Sequence, residues 1–78
     1  MLLSRLEAAS ANTSMEEFHD LVATALNTCG LQPVDLARKL GTSIPMVLRW
    51  REGASAPLPP MRPAVFNALK ELLKDKSV

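Results

Sequence analysis

The stretch GLQPVDLARKLGTSIPMVLRW, residues 30–50, predicts two short helices that meet at a corner. Pro33 suits the first turn of a helix, where a missing backbone N–H costs nothing, and Gly41 can take the left-handed conformation that ends it. Ser43 is a typical N-cap for a second helix, and Pro45 is tolerated only within that helix's first turn. The sequence therefore predicts helices over PVDLARKL and IPMVLRWRE, joined near Gly41.

Two more helices are predicted before this corner. Residues 2–11 carry three leucines on one side, and the sequence ANTS then breaks the pattern. Ser14 and Glu17 have the spacing of a capping box, so a second helix should begin there and end at Gly30. The apolar stripe predicted for this helix consists of Met15, Phe18, Val22, Ala25, Leu26 and Cys29.

The chain after the corner divides into a connector and a last helix. The segment ASAPLPPMRP, residues 54–63, holds four of the six prolines, which favours an extended connector without regular structure. Pro63 can open a last helix over residues 63–74. Its apolar residues are Val65, Phe66, Leu69, Leu72 and Leu73.

The predicted fold class is all-α, a compact domain of five helices, because no segment shows the sustained alternation of a strand. Residues 1–13 are interpreted as an N-terminal helical extension. Residues 14–76 form the domain itself, with the two-helix corner at residues 33–52.

Size and cysteine content limit the classes of protein to which this chain can belong. A chain of 78 residues has room for one modest core, to which dimerisation would be a natural supplement. A single cysteine cannot form an internal disulfide, so we expect a cytoplasmic protein. Arg5 and Glu7 interrupt the apolar start before it reaches the length of a signal peptide. No run is long enough to cross a bilayer, so no membrane partner is expected.

Charge is distributed unevenly, although the net charge is only +1. Residues 1–31 hold one basic and four acidic side chains, whereas residues 32–62 hold five basic and two acidic ones. The basic excess coincides with the corner, and a local patch of this kind attracts phosphate even when the whole protein is nearly neutral.

The segment LARKLGTSIPMVLRWREG, residues 36–53, resembles the helix-turn-helix of the lambda-repressor-like (Cro/XRE) DNA-binding proteins. A small Ala37 lets the two helices cross closely, and Val47 and Trp50 point inward one helical turn apart. The positions that would form the structural core of the motif are Leu36, Ala37, Leu40, Gly41, Val47 and Trp50. The resemblance covers roughly residues 14–74 and implies a lambda-repressor-like fold.

The resemblance implies a small transcriptional regulator that binds duplex DNA, with the second helix of the pair in the major groove. The DNA-binding positions carried over from the family are Ser43, Ile44, Pro45, Leu48 and Arg49. Further DNA-binding candidates are the basic residues Arg38, Lys39 and Arg51, and Gln32 beside the start of the first motif helix, one place before the position where the family usually has its polar contact residue. Among the outward residues of the second helix and its cap, only Ser43 and Arg49 can hydrogen-bond to bases. Ile44, Pro45 and Leu48 offer apolar surface, which suits thymine methyl groups but also suits a protein.

Two alternatives stay open at this point. Two interpretations of Arg38, Lys39 and Arg51 are equally favoured: they contact phosphate, or they form an ordinary solvent-exposed face. The chain could also keep the scaffold as a protein-interaction module, such as a co-regulator, antitoxin or anti-repressor. Such a module would bind another regulator through the apolar face Ile44, Met46 and Leu48, or through the acidic N-terminal helices.

Catalysis is not expected. The sequence has no Ser–His–Asp set, no metal-binding cluster and no phosphate-cradling glycine loop, so we predict no enzyme, cofactor or metal. His19 has no second ligand nearby and is interpreted as a surface residue, and Cys29 is interpreted as part of the core.

A homodimer is the expected assembly, with the last helix as the contact. Its apolar residues exceed what one modest core is expected to cover, and related repressors often use a helix after the motif for two-fold contacts. The interface candidates are Phe66, Leu69 and Leu73.

Overall fold

The computed structural model describes residues 2–76, apart from the side chains of Leu3 and Lys76. Within this range there are five α-helices and no strand: α1 (Leu2–Ala8), α2 (Met15–Ala23), α3 (Pro33–Leu40), α4 (Ile44–Glu52) and α5 (Arg62–Lys76). A π-helical turn, Thr24–Thr28, extends α2, and a 3-10 turn, Pro59–Met61, leads into α5. The predicted all-α class with five helices is confirmed for the described residues.

Local capping explains how α2 begins and ends. The Ser14 hydroxyl accepts a hydrogen bond from the Glu17 backbone N–H at 3.1 Å, as the capping-box spacing predicts. Beyond Ala23 the helix widens into the π turn, so the regular α-helix is shorter than predicted. Gly30 ends the segment in a left-handed conformation, with a φ of 73°.

The core forms around Phe18, which is fully buried. Its ring lies edge-on to Trp50, with centroids 5.9 Å apart, and 5.6 Å from the ring of Phe66. Thus α2 joins the corner on one side to α5 on the other. Trp50 is only 6% exposed, which confirms its predicted place in the core. Of the other predicted core residues of the corner, Leu36, Ala37 and Val47 are buried, and Leu40 packs half-buried against them. Gly41 is exposed rather than in the core, because it forms the turn that ends α3.

The N-terminal helix is packed into the same unit rather than lying apart from it. Leu6 is 1% exposed and belongs to the core, and α1 packs on α5. Arg5 donates hydrogen bonds to Glu17 at 2.9 Å and to Asp20. These two carboxylates, Asp20 foremost, raise the pKa of Arg5 above its ordinary value. The helix ends at Ala8, three residues earlier than predicted.

Four predictions for residues 15–29 are wrong. Met15 was placed in the apolar stripe, but it is 53% exposed because it occupies the first helical position, beyond the reach of the core. Leu21, which the stripe left out, is fully buried. His19 was predicted at the surface, but it is half-buried, with Nδ1 3.3 Å from the Trp50 carbonyl oxygen. Cys29 is half-buried rather than enclosed in the core.

The interface predicted on the last helix is also wrong in its position. Phe66 and Leu69 are 1% and 0% exposed, so they form part of the core of the single chain. Leu73 is half-buried and packs against that core. The reason is that α1 and α3 both pack on α5 and cover the apolar side that we expected to be left over. No described helix combines the length and the apolar content needed to span a membrane.

Candidate functional site

The two-helix corner, residues 33–52, is held by backbone caps. Gly41 takes the left-handed conformation, with a φ of 70°, after the last residue of α3. The Thr42 N–H donates to the Ala37 carbonyl at 2.9 Å, which closes the end of the helix. The Ser43 hydroxyl then accepts a hydrogen bond from the Met46 N–H at 3.2 Å and caps α4. The bounds of both helices agree with those predicted from the sequence.

Helix α4 has one inward and one outward side. Val47 and Trp50 are buried against α2 and α3, which leaves Pro45 and Arg49 exposed on the opposite side. Leu48, predicted to point outward, is half-buried. The first turn adds exposed apolar surface, because Ile44 is 42% and Met46 is 37% exposed. Glu52, on the last turn, is exposed and brings a negative charge to that end.

The cations predicted to bind phosphate differ in their exposure and in whether they form an ion pair. Arg38 and Arg49 are exposed and Arg51 is half-buried, and none of the three forms an ion pair with the described side chains. Lys39 does form one, since its Nζ lies 3.2 Å from Oε2 of Glu71 on α5. Gln32 is exposed at the N-cap position of α3 but makes no capping hydrogen bond with its side chain.

Arg62 does not belong to the basic patch, although its charge was counted there. It is 8% exposed, and its guanidinium donates to the Pro57 carbonyl at 3.0 Å and to the Thr13 carbonyl at 2.7 Å. The side chain thus ties the α1–α2 loop to the connector. No local pattern in the sequence marks this role, because both acceptors are backbone atoms and one is 49 residues away.

A groove between α4 and the connector was not predicted at all. It has a volume of about 440 Å³, and Met46 and Arg49 form one wall while Leu58 and Met61 form the other. Leu58 is 71% and Met61 is 59% exposed. The connector can present them because Pro57 favours an extended backbone before the 3-10 turn, which Pro59 and Pro60 begin.

The C-terminal end of α4 is fixed by a close contact with α2. Gly53 has a φ of 77°, and a Cβ atom built there would lie 3.2 Å from Nδ1 of His19. His19 therefore packs against the glycine and reaches the Trp50 carbonyl near the end of α4. This contact sets the position of α4 on α2. It was not predicted from the sequence, because His19 was interpreted as a surface residue.

No family of proteins, no curated protein and no solved structure was found to match this chain. Among the residues that the structure describes, no group of three or more His, Cys, Asp or Glu side chains is arranged to hold a metal ion. The geometry of the corner and its charges are therefore the observations from which a function has to be inferred.

Proposed function

We propose that the protein is a small transcriptional regulator that binds duplex DNA, with α4 in the major groove as the second helix of a helix-turn-helix. The observation that carries the proposal is the two-sided α4: Val47 and Trp50 anchor it, while Pro45 and Arg49 stand on a side that nothing in the described fold covers. A helix about 10–12 Å across fits a groove about 12 Å wide.

The distribution of charge supports this orientation. Glu17 and Asp20, two of the four acidic residues in the N-terminal part, are engaged by Arg5 on the α1–α2 side. Arg38 and Arg49 on the corner have no carboxylate partner among the described side chains, so phosphate oxygens can take that place. Lys39 would have to exchange Glu71 for a phosphate.

Base recognition through this face should be limited. Arg49 can donate two hydrogen bonds to a guanine, whereas Ile44 and Pro45 can only pack against thymine methyl groups. Ser43 can still donate its hydroxyl hydrogen, although one lone pair is used in capping α4. Exposed Glu52 should keep the last turn away from phosphate. We therefore expect a short preferred sequence, read by the first two turns of α4.

Formation of a homodimer would compensate for the small number of contacts that one copy makes with DNA. With Arg62 buried and Lys39 paired, one copy offers few free cations to the backbone. Each phosphate contact contributes about 0.9 to the salt slope, so a single copy would bind weakly at physiological salt. A homodimer doubles these contacts, and we include it in the proposal.

A protein-interaction module is the second candidate. It is favoured by the apolar character of the first turn of α4, where Ile44 and Met46 are both more than a third exposed. In that case, the same side of α4 would bind another protein, as a co-regulator or an antitoxin does, and DNA would not compete for it.

Selection of binding sites from random duplex DNA at a defined salt concentration separates the two candidates. The proposal predicts that the wild type enriches a short motif, that Arg49→Ala loses part of it, and that Lys74→Ala does not. Lys74 is the matched control because it is an exposed cation on α5, outside the corner. If the folded wild type enriches nothing and fails to bind duplex DNA even at low salt, the protein-interaction module replaces the proposal.

A further inference from the structure

The start of α4 carries apolar side chains at the place where a helix in the major groove meets the edges of the bases. Ile44, the first residue of α4, is 42% exposed, and Pro45 beside it is exposed as well. Neither side chain can donate or accept a hydrogen bond. Leu48, one turn after Ile44, is half-buried and adds apolar surface on that side. The first turn of α4 therefore presents a mainly apolar edge.

The backbone of this turn has also lost donors that a helix start usually provides. Pro45 has no N–H, and the Met46 N–H donates to the Ser43 hydroxyl at 3.2 Å. Two of the N–H groups that the start of a helix usually leaves free are therefore absent or engaged. A base edge that carries only polar groups would gain little from contact with this turn.

One feature of the major groove suits an apolar edge, and that is the 5-methyl group of a pyrimidine. When an apolar side chain packs against the polar edge of another base, it removes water without replacing the hydrogen bonds of that water. A methyl group has no hydrogen bond to lose, and its burial is favourable. Thymine carries this group in the major groove, and so does 5-methylcytosine.

Arg49 lies on the same side of α4 as Pro45. The two residues are exposed and four positions apart, so they are one turn apart on one side, separated by about 6 Å along the helix axis. Side chains on a helix lean toward its N-terminus, so the guanidinium of Arg49 returns toward Pro45. Because base pairs stack about 3.4 Å apart, the two side chains would contact bases within about two base pairs of each other.

We propose that the start of α4 recognises the 5-methyl group of a pyrimidine within about two base pairs of a guanine that Arg49 contacts. This inference rests on the proposed function and deepens it, because it names the chemical group that the apolar residues recognise. Two sources supply the group, thymine and the 5-methylcytosine of modified DNA. Methylation of a cytosine would then raise the affinity of a site whose sequence is unchanged.

Anisotropy titrations with four duplexes test the methyl contact. All four carry the motif that the wild type enriches from random DNA, in which we expect a thymine near the guanine whose preference Arg49→Ala abolishes. That position holds thymine, uracil, cytosine or 5-methylcytosine, each opposite its complementary base. Thymine differs from uracil only in the methyl group, and so does 5-methylcytosine from cytosine. Each methyl group should tighten binding about fourfold, the gain for burying one such group.

The two pairs of duplexes distinguish the sources of the methyl group. A gain from both methyl groups supports the proposal for thymine and for 5-methylcytosine. A gain from thymine alone supports the contact and limits its source to unmodified DNA.

Removal of the two apolar side chains tests which residues make the contact. The double variant Ile44→Ala/Pro45→Ala should bind the thymine and uracil duplexes equally, while it keeps the preference for guanine through Arg49. Val34→Ala is the matched control, because Val34 is an apolar residue of similar exposure, 39% against 42% for Ile44, on the first turn of α3. This control should keep the difference between thymine and uracil. Circular dichroism checks that both variants fold.

The contradicting outcomes are separate from a failure of the proposed function. A wild type that binds the enriched motif with equal affinity in both pairs of duplexes would overturn the methyl contact while leaving DNA binding intact. A difference between thymine and uracil that the double variant keeps would overturn it too. A protein that binds no duplex DNA would remove the proposed function, and this inference with it.

Discussion

Replacing Arg62 by methionine should destabilise the protein strongly, although the residue is charged and lies far from the predicted site in sequence. Methionine keeps most of the apolar stem of the side chain, so the change removes chiefly the two hydrogen bonds to the carbonyls of Thr13 and Pro57. These bonds join the α1–α2 loop to the connector. Without them, the two segments lose their common anchor.

The expected loss of unfolding free energy follows from the competition between hydrogen bonding and desolvation of the guanidinium. A hydrogen bond from a charged donor contributes about 1.5–3 kcal/mol, so two bonds set an upper limit of about 6 kcal/mol. Burial of the guanidinium, which is 8% exposed, offsets part of this sum. Thr13 and Pro57 are only half-buried, so water can replace the lost donor in part. We expect a loss of about 2–3 kcal/mol, a large fraction of the stability of a domain this small.

Urea denaturation of Arg62→Met, with Arg38→Met as the control, measures this loss. Arg38 is exposed and unpaired among the described side chains, so its replacement should change the unfolding free energy by less than about 0.5 kcal/mol. Thermal melting should show a decrease for Arg62→Met of roughly 10–20 °C at this chain length. If both variants lose the same small amount, the buried arginine is not an anchor and our account of the connector is refuted.

Four other predictions concern the corner and its contacts. Trp50→Ala should lower the unfolding free energy by roughly 3–5 kcal/mol, because it removes a buried ring packed on Phe18; a variant with an unchanged melt would contradict the core assignment. Gly41→Ala should cost about 1–2 kcal/mol through backbone strain alone, since a Cβ there meets nothing within 4 Å. Gly53→Ala should cost more, because the Cβ meets His19, and His19→Ala should remove the excess in a double-mutant cycle of melts. Lys39→Ala should weaken binding to all DNA sequences alike and flatten the salt slope by about one, whereas Glu71→Gln should strengthen it by freeing Lys39; anisotropy titrations at several salt concentrations would detect a reversed sign.

Local signals made the corner predictable from the sequence. Pro33, Gly41 and Ser43 act through their own backbone or through residues within one turn, so the bounds of α3 and α4 agree with those predicted. The inward positions Val47 and Trp50 followed from helical spacing alone. Both are buried.

Long-range packing was not predictable in the same way. Whether Phe66 and Leu69 face a partner or the core depends on what covers α5, and only the fold shows that α1 does so. The anchoring role of Arg62 was not predicted, because the acceptors of its hydrogen bonds are backbone carbonyls that any residue could provide. The groove between α4 and the connector likewise depends on how the prolines direct the chain past α4, which composition alone does not specify.

A titration of isotope-labelled protein with duplex DNA, followed by nuclear magnetic resonance, tests the central proposal most directly. It needs no knowledge of the preferred sequence, because non-specific binding at about 50 mM salt is enough to perturb the contacting amides. The proposal predicts the largest shifts at residues 43–49, smaller ones near Arg38, and none at Leu6 or Asp20 on the α1–α2 side. An unperturbed α4, or shifts centred on α1 and α2, would contradict the assignment of α4 as the helix that enters the major groove.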